Sequence, residues 1–205
     1  MAAVQAHLVD PAAGRIKLLD PPLAHAVPSA GYIQAYPPGV RENGGQYTHA
    51  GIWALMAQAR LAQDPAASAA ETEAPYRSFT CLSPAHRAAH PARGAVYGAE
   101  PYAVAGDVYS QPPWVGRAGW SWYTGAAAWL HRAAVESIFG LQHEAQRLRF
   151  TPCLPAHWPR AELTLARDGG SPAVTASAKV EFKRQVQAIR QQLEAAATVV
   201  QASAE

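Results

Sequence analysis

A chain of 205 residues is long enough for one compact domain or for part of a larger one. Its 17 basic and 15 acidic side chains leave a formal net charge of +2, and no arginine-lysine cluster stands out along it. Neither nucleic acid nor an anionic membrane surface is therefore favoured as a partner. Cys81 and Cys153 are far apart and in no metal-type spacing, which suits reduced thiols in a cytoplasmic setting, with a single disulfide as the open alternative.

In chain order, residues 1–20 carry Asp10, Arg15, Lys17 and Asp20 and no continuous apolar run, so no secretory signal or membrane span is expected there. If a parent protein is membrane-bound, at the inner membrane for instance, its anchor is expected elsewhere. Leu18-Leu-Asp-Pro-Pro-Leu reads as a linker, making residues 1–20 a linker-like lead-in from a preceding element. Next comes a polar loop, Gly39 to Gly51, with Arg41, Glu42, Asn43, Gln46 and His49 packed around glycines. Five hydrogen-bonding side chains are more than a connector needs, although an Asn43-Gly44 turn and a solvated Arg41-Glu42 pair would explain it without any ligand.

The spacing of Ile52, Leu55, Met56 and Ala59 predicts a helix from about Thr48 to Gln63, stopped by Asp64-Pro65. Residues 65–100, rich in Ala, Pro and Ser, read as a short helix plus irregular connections. His86 and His90 there lack the glutamate of a metalloprotease motif, Arg87 standing in its place, and a metal site is not expected. Glu100 and Asp107 flank a short apolar run, as at a surface strand or helix end. From Gly119 to Trp129 an aromatic platform runs into Thr124-Gly125 at the start of a helix predicted over Thr124 to Phe139, with Gly140 as its stop. Aromatic faces cover the apolar side of a sugar ring, and a hydroxyl with open N–H groups at a helix start can hold an anion. Buried aromatic packing is the plain alternative. Ser121 lacks the second glycine of a serine-hydrolase elbow. Strands are expected at Leu148-Arg-Phe and Glu162-Leu-Thr-Leu-Ala. Phe182, Val186, Ile189, Leu193 and Val200 form a helical stripe near the end.

Several stretches together resemble glycoside hydrolase family 94, the inverting glycoside phosphorylases, and within it the phosphorylase-like region of cyclic β-1,2-glucan synthases. They are Pro37-Pro-Gly-Val-Arg-Glu-Asn-Gly-Gly-Gln-Tyr-Thr-His-Ala, Glu100-Pro-Tyr through Asp107-Val-Tyr-Ser, Val115-Gly-Arg through Trp120-Ser-Trp-Tyr-Thr-Gly, and Leu148-Arg-Phe-Thr-Pro-Cys-Leu-Pro followed by Trp158-Pro. They cover roughly residues 20–168, in family order. The resemblance implies a mainly α fold: the last helices of an (α/α)6 barrel over 21–145, the first strands of a C-terminal β-sandwich over 146–170, and a divergent helical tail over 171–205. It also implies that the chain is a C-terminal fragment.

The chemistry implied is phosphorolysis of a β-glucosidic bond with inversion, using inorganic phosphate as co-substrate and no cofactor or metal. Phosphate is already a nucleophile, so the protein has to bind it in line rather than generate a base. By motif position His49, Thr124 and the Gly125 N–H would hold phosphate, and Glu42, Arg41, Gln46, Asp107 and Trp122 would contact sugar. The expected partner is a β-glucan or oligosaccharide, with no direct membrane contact from this segment, and a homodimer is compatible with the sequence. The family's general acid is an aspartate in a Trp-Asn-Asp-Gly-type motif that this sequence does not contain. General acid catalysis contributes about 10² to 10⁴-fold, so the isolated polypeptide is expected to be inactive. Two other classes stay in view: a non-catalytic carbohydrate-binding or structural remnant, and an inverting hydrolase.

Overall fold

The computed structural model describes residues 1–144, 147–165 and 174–179, and the chain divides into two units, 1–153 and 154–205. The first unit is mainly helical. It begins with α1 (Ala2–His7) and the short ladder of β1 (Val9–Asp10) with β2 (Arg15–Ile16), and Arg15 and Ile16 are buried. The lead-in expected to be linker-like is thus built into the fold.

After α2 (Tyr32–Ala35), strand β3 (Gln46–Tyr47) runs directly into α3 (Thr48–Leu61) and pairs antiparallel with β4 (Asp107–Val108). Ile52, Leu55 and Ala59 of α3 are buried, as their spacing predicts, while Met56 is half-buried. Burying Ile52 and Leu55 contributes about 1.5–3 kcal/mol each. Helix α3 packs against α4 (Ala69–Leu82), and the Ser78 hydroxyl crosses to Gln58 Oε1 at 2.6 Å.

Residues 65–100 are more helical than expected, because three local signals start helices there. Ser68 and Glu71 form a capping box on α4. Ser83 and Pro84 open α5 (Pro84–Ala88), and His90 and Pro91 open α6 (Pro91–Tyr97). His86 and His90 consequently sit within and at the edge of helices rather than in loops, and among the described residues no group of three His, Cys, Asp or Glu side chains could hold a metal.

The helix expected over Thr124 to Phe139 forms as α7 (Thr124–Arg132) followed by a π-helical turn at Ala133–Ile138, and α7 packs on α3. Gly140 ends it at φ +75°. A Cβ there would lie 2.0 Å from the Thr151 carbonyl oxygen, so no other residue fits. A hairpin of β5 (Leu141–Glu144) and β6 (Arg147–Phe150) closes this unit.

In the second unit β7 (Arg160–Leu165) pairs antiparallel with β8 (Val174–Lys179). The strand at 174–179 corrects the expectation of a helical tail beginning at 171. The stripe from Phe182 to Val200 lies outside the described residues. Among the described residues the strands form four separate two-stranded ladders, and no helix is long and apolar enough to cross a membrane.

Candidate functional site

The loop at 39–47 is held by its own interior. Asn43, fully buried, accepts the Leu23 N–H at 2.6 Å and donates to the Tyr36 carbonyl at 2.8 Å. Gln46 accepts the Ile16 N–H at 3.0 Å and an Arg87 N–H at 3.1 Å on one amide oxygen. Asp107 is buried beneath the loop, where Oδ2 accepts the Arg41 N–H at 2.7 Å. Burial raises the Asp107 pKa above its ordinary value, against the lowering effect of that hydrogen bond. Gln46 and Asp107, both expected to contact sugar, are therefore occupied in bracing the loop.

Three other side chains keep polar atoms without partners. Arg41 and Glu42 form an ion pair at 3.8 Å, beyond hydrogen-bond length, and Arg41 Nε and Glu42 Oε2 are both buried with no hydrogen bond. His49 Nε2 is likewise buried and unpartnered. Buried polar atoms are nearly always hydrogen-bonded, so three orphans within nine residues are unusual. Arg41 is also held in the left-handed region at φ +48°, with its guanidinium 5.1 Å from the Trp120 ring and 5.8–5.9 Å from Tyr36 and Tyr47.

Helix packing brings the second segment to the first. His49, in the first turn of α3, lies edge-on to Trp53 at 4.7 Å and 5.9 Å from Trp129 of α7, and the two indoles meet at 5.7 Å. The Tyr47 and Tyr123 hydroxyls are 3.4 Å apart. That contact, with burial, pushes the Tyr47 pKa up to about 12. Backbone bonds from Thr48 N–H to the Gly106 carbonyl and from Tyr123 N–H to the Val104 carbonyl tie both segments to the strip around β4.

Thr124 and Gly125 are exposed at the start of α7, with nothing within 4 Å of a Cβ built on Gly125. Trp122, at φ +58°, is 62% exposed; its Nε1–H donates to Glu100 Oε1 at 3.3 Å and its ring meets Tyr102 edge-on. Glu100 lines a shallow polar groove of about 570 Å³ with Arg117 and Ser121. The structure thus sets the Arg41–Glu42 pair beside Tyr36, Tyr47 and Trp120, and His49 against Trp53 and Trp129. It keeps Gln46 and Asp107 inside and sets Trp122, Thr124 and Gly125 at the surface. Tyr47, Trp53, Tyr123 and Trp129 are not among the named site residues, although Tyr123 and Trp129 lie in the aromatic platform of 119–129 and Trp53 stands four residues after His49 on one helix face.

An orphaned carboxylate and imidazole beside aromatic rings, near an exposed helix start, are the parts of a site for polar, ring-bearing ligands such as carbohydrates. Residues 1–140 match the glycosyl hydrolase 94 superfamily catalytic domain, and the chain belongs to that family of carbohydrate-active enzymes. It is 46% identical over 159 residues to the cyclic beta-(1,2)-glucan synthase NdvB of Rhizobium meliloti (strain 1021), covering 78% of this chain and 5% of that protein. It is 28% identical to the solabiose phosphorylase of Paenibacillus borealis, over 71% of this chain and 18% of the relative. The N,N'-diacetylchitobiose phosphorylase of Vibrio proteolyticus is also 28% identical, over 80% and 19%. The chain therefore spans less than a fifth of the length of these relatives.

Proposed function

We propose that this chain supplies the phosphate-side and part of the sugar-side wall of an inverting glycoside phosphorylase site acting on β-linked glucans, within an (α/α)6 barrel. The observation that carries it is the buried, unpartnered Nε2 of His49 on the helix that packs against α7, whose first residues Thr124 and Gly125 are exposed. His49 and Thr124 would donate from their side chains, and the Gly125 N–H beside them, to phosphate oxygens at the positive end of α7. Glu42 would accept from sugar hydroxyls inserted where its pairing with Arg41 is too long, and Trp122 would offer a face to a ring. Gln46 and Asp107 act through the loop they brace. The general acid is not among these 205 residues and would come from further polypeptide, so the chain alone would bind without turning over. The 46% identity to a β-(1,2)-glucan synthase favours β-1,2-linked glucose as substrate.

The test uses the parent gene product with β-1,2-linked gluco-oligosaccharides. Release of glucose 1-phosphate that depends on inorganic phosphate, and falls about 100-fold or more in His49→Ala, is the expected result. Release of free glucose without phosphate would replace it with an inverting hydrolase. A second reading, a non-catalytic carbohydrate-binding remnant, would rest on the exposed Trp120 and Trp122 rings; glucan binding by a gene product that neither phosphorolyses nor hydrolyses would establish that instead.

A further inference from the structure

A cleft of about 530 Å³ opens where α1 and the turn before β2 meet α4, α5 and α6, and its lining includes Gln5, Arg77, Cys81, His86, Arg87 and Arg93. Arg87 forms its buried side, with 7% of its surface exposed. Its guanidinium is held by neutral acceptors: the carbonyls of Gly14 and, at 2.9 Å, Cys81, and the Gln46 amide oxygen. Its Nε has no acceptor.

Arg77 and Arg93 are exposed cations on the lining, and Arg93 Nη1 comes close to Gly14. Among the described residues no carboxylate lies within ion-pair distance of Arg77, Arg87 or Arg93; Asp10 pairs instead with Arg15 at 3.4 Å. Gln5 Nε2 and His86 Nδ1 add two further buried atoms without partners. A buried cation surrounded by like charges is costly without a counter-charge, and the effect is visible in Arg87, whose pKa burial drives down to about 10.

We propose that this cleft binds a small oxyanion, inorganic phosphate or a phosphate monoester, as the counter-charge to Arg87, with Arg77 and Arg93 gripping it from the exposed rim. The planar, multiply donating guanidinium suits phosphate oxygens, and the volume admits a phosphate carrying a small organic group. None of the residues proposed above to touch phosphate lines this cleft.

The experiment follows the arginine Nε–Hε NMR signals of the 205-residue chain at fixed ionic strength, with sodium chloride as the control salt. Inorganic phosphate is titrated in one arm and glucose 6-phosphate in the other, in the wild type and in His49→Ala. Saturable shifts of the Arg87 and Arg93 signals that persist in His49→Ala are expected. They should weaken roughly tenfold in Arg93→Ala and in Arg77→Ala, both exposed positions, and less in Arg93→Lys. Saturation in one arm alone identifies the source and supports the site. Shifts that chloride reproduces, that vanish in His49→Ala, or that survive both alanine variants unchanged would overturn it.

Discussion

Residues 39–51 and 119–129 are made of similar parts, glycines beside aromatic and polar side chains, yet the fold treats them differently. In the first segment Asn43 and Gln46 are consumed by backbone groups and by Arg87, and what remains for a ligand is a small set of orphaned atoms on Arg41, Glu42 and His49. In the second, Trp120 and Trp122 are 71% and 62% exposed, and Thr124 and Gly125 stand open. The first segment is braced from within; the second is exposed among the described residues. Each holds one non-glycine residue at positive φ, Arg41 and Trp122, which is strain tolerated where surrounding contacts over-determine the backbone.

Substitutions can break this contrast. The largest effect is expected from Gly119→Ala, whose Cβ would fall 1.9 Å from Asp107 Oδ1, at the junction of the two segments. Urea denaturation should report a loss of about 3 kcal/mol or more, as for other overpacked sites. Trp129→Ala removes one of the rings flanking His49 and should cost about 2 kcal/mol in the same assay; the accompanying loss of order would show as a shifted His49 imidazole signal by NMR.

The Asp107 carboxyl sharpens the comparison through pH. Because burial raises its folded pKa above the ordinary 3.8, its contribution to stability is greatest below that value and is lost as pH rises through the folded pKa. Asp107→Asn should remove this decline, so that the stability of the variant relative to the wild type grows from pH 3.8 upward. A difference that is flat with pH would show that Asp107 ionises as freely folded as unfolded. A smaller change is expected from Tyr123→Phe, which deletes the hydroxyl beside Tyr47. Ultraviolet titration should find the Tyr47 midpoint moved from about 12 toward the ordinary tyrosine value. Gly125→Ala, with open space around it, should alter stability by no more than about 0.5–1 kcal/mol, in the direction of greater helix stability.

The α3 helix and the start of α7 were legible because apolar spacing and a polar-to-apolar boundary are local signals. Helices α4 to α6 were equally local, written in Ser68-Glu71, Ser83-Pro84 and His90-Pro91, but alanine- and proline-rich composition masked them. The inward turn of Gln46 and Asp107 could not be read, since their partners Ile16, Arg87 and Arg41 lie at 30, 41 and 66 residues' separation. The same limit hid the positive cleft. No basic run exists in the sequence, and Arg77, Arg87 and Arg93 converge with Gln5 and Gly14 only through folding.

Cys81 and Cys153 are both buried thiols, one at the end of α4 and the other where its Sγ approaches the Thr72 carbonyl at 3.8 Å. Cys81 lines the arginine cleft and Cys153 does not, so the pair compares two routes to a thiol. A reagent small enough to enter the cleft should label Cys81 first, whereas a bulky one should label either thiol only as fast as the structure around it opens. Equal rates with the bulky reagent would mean that 1–153 opens as one cooperative body.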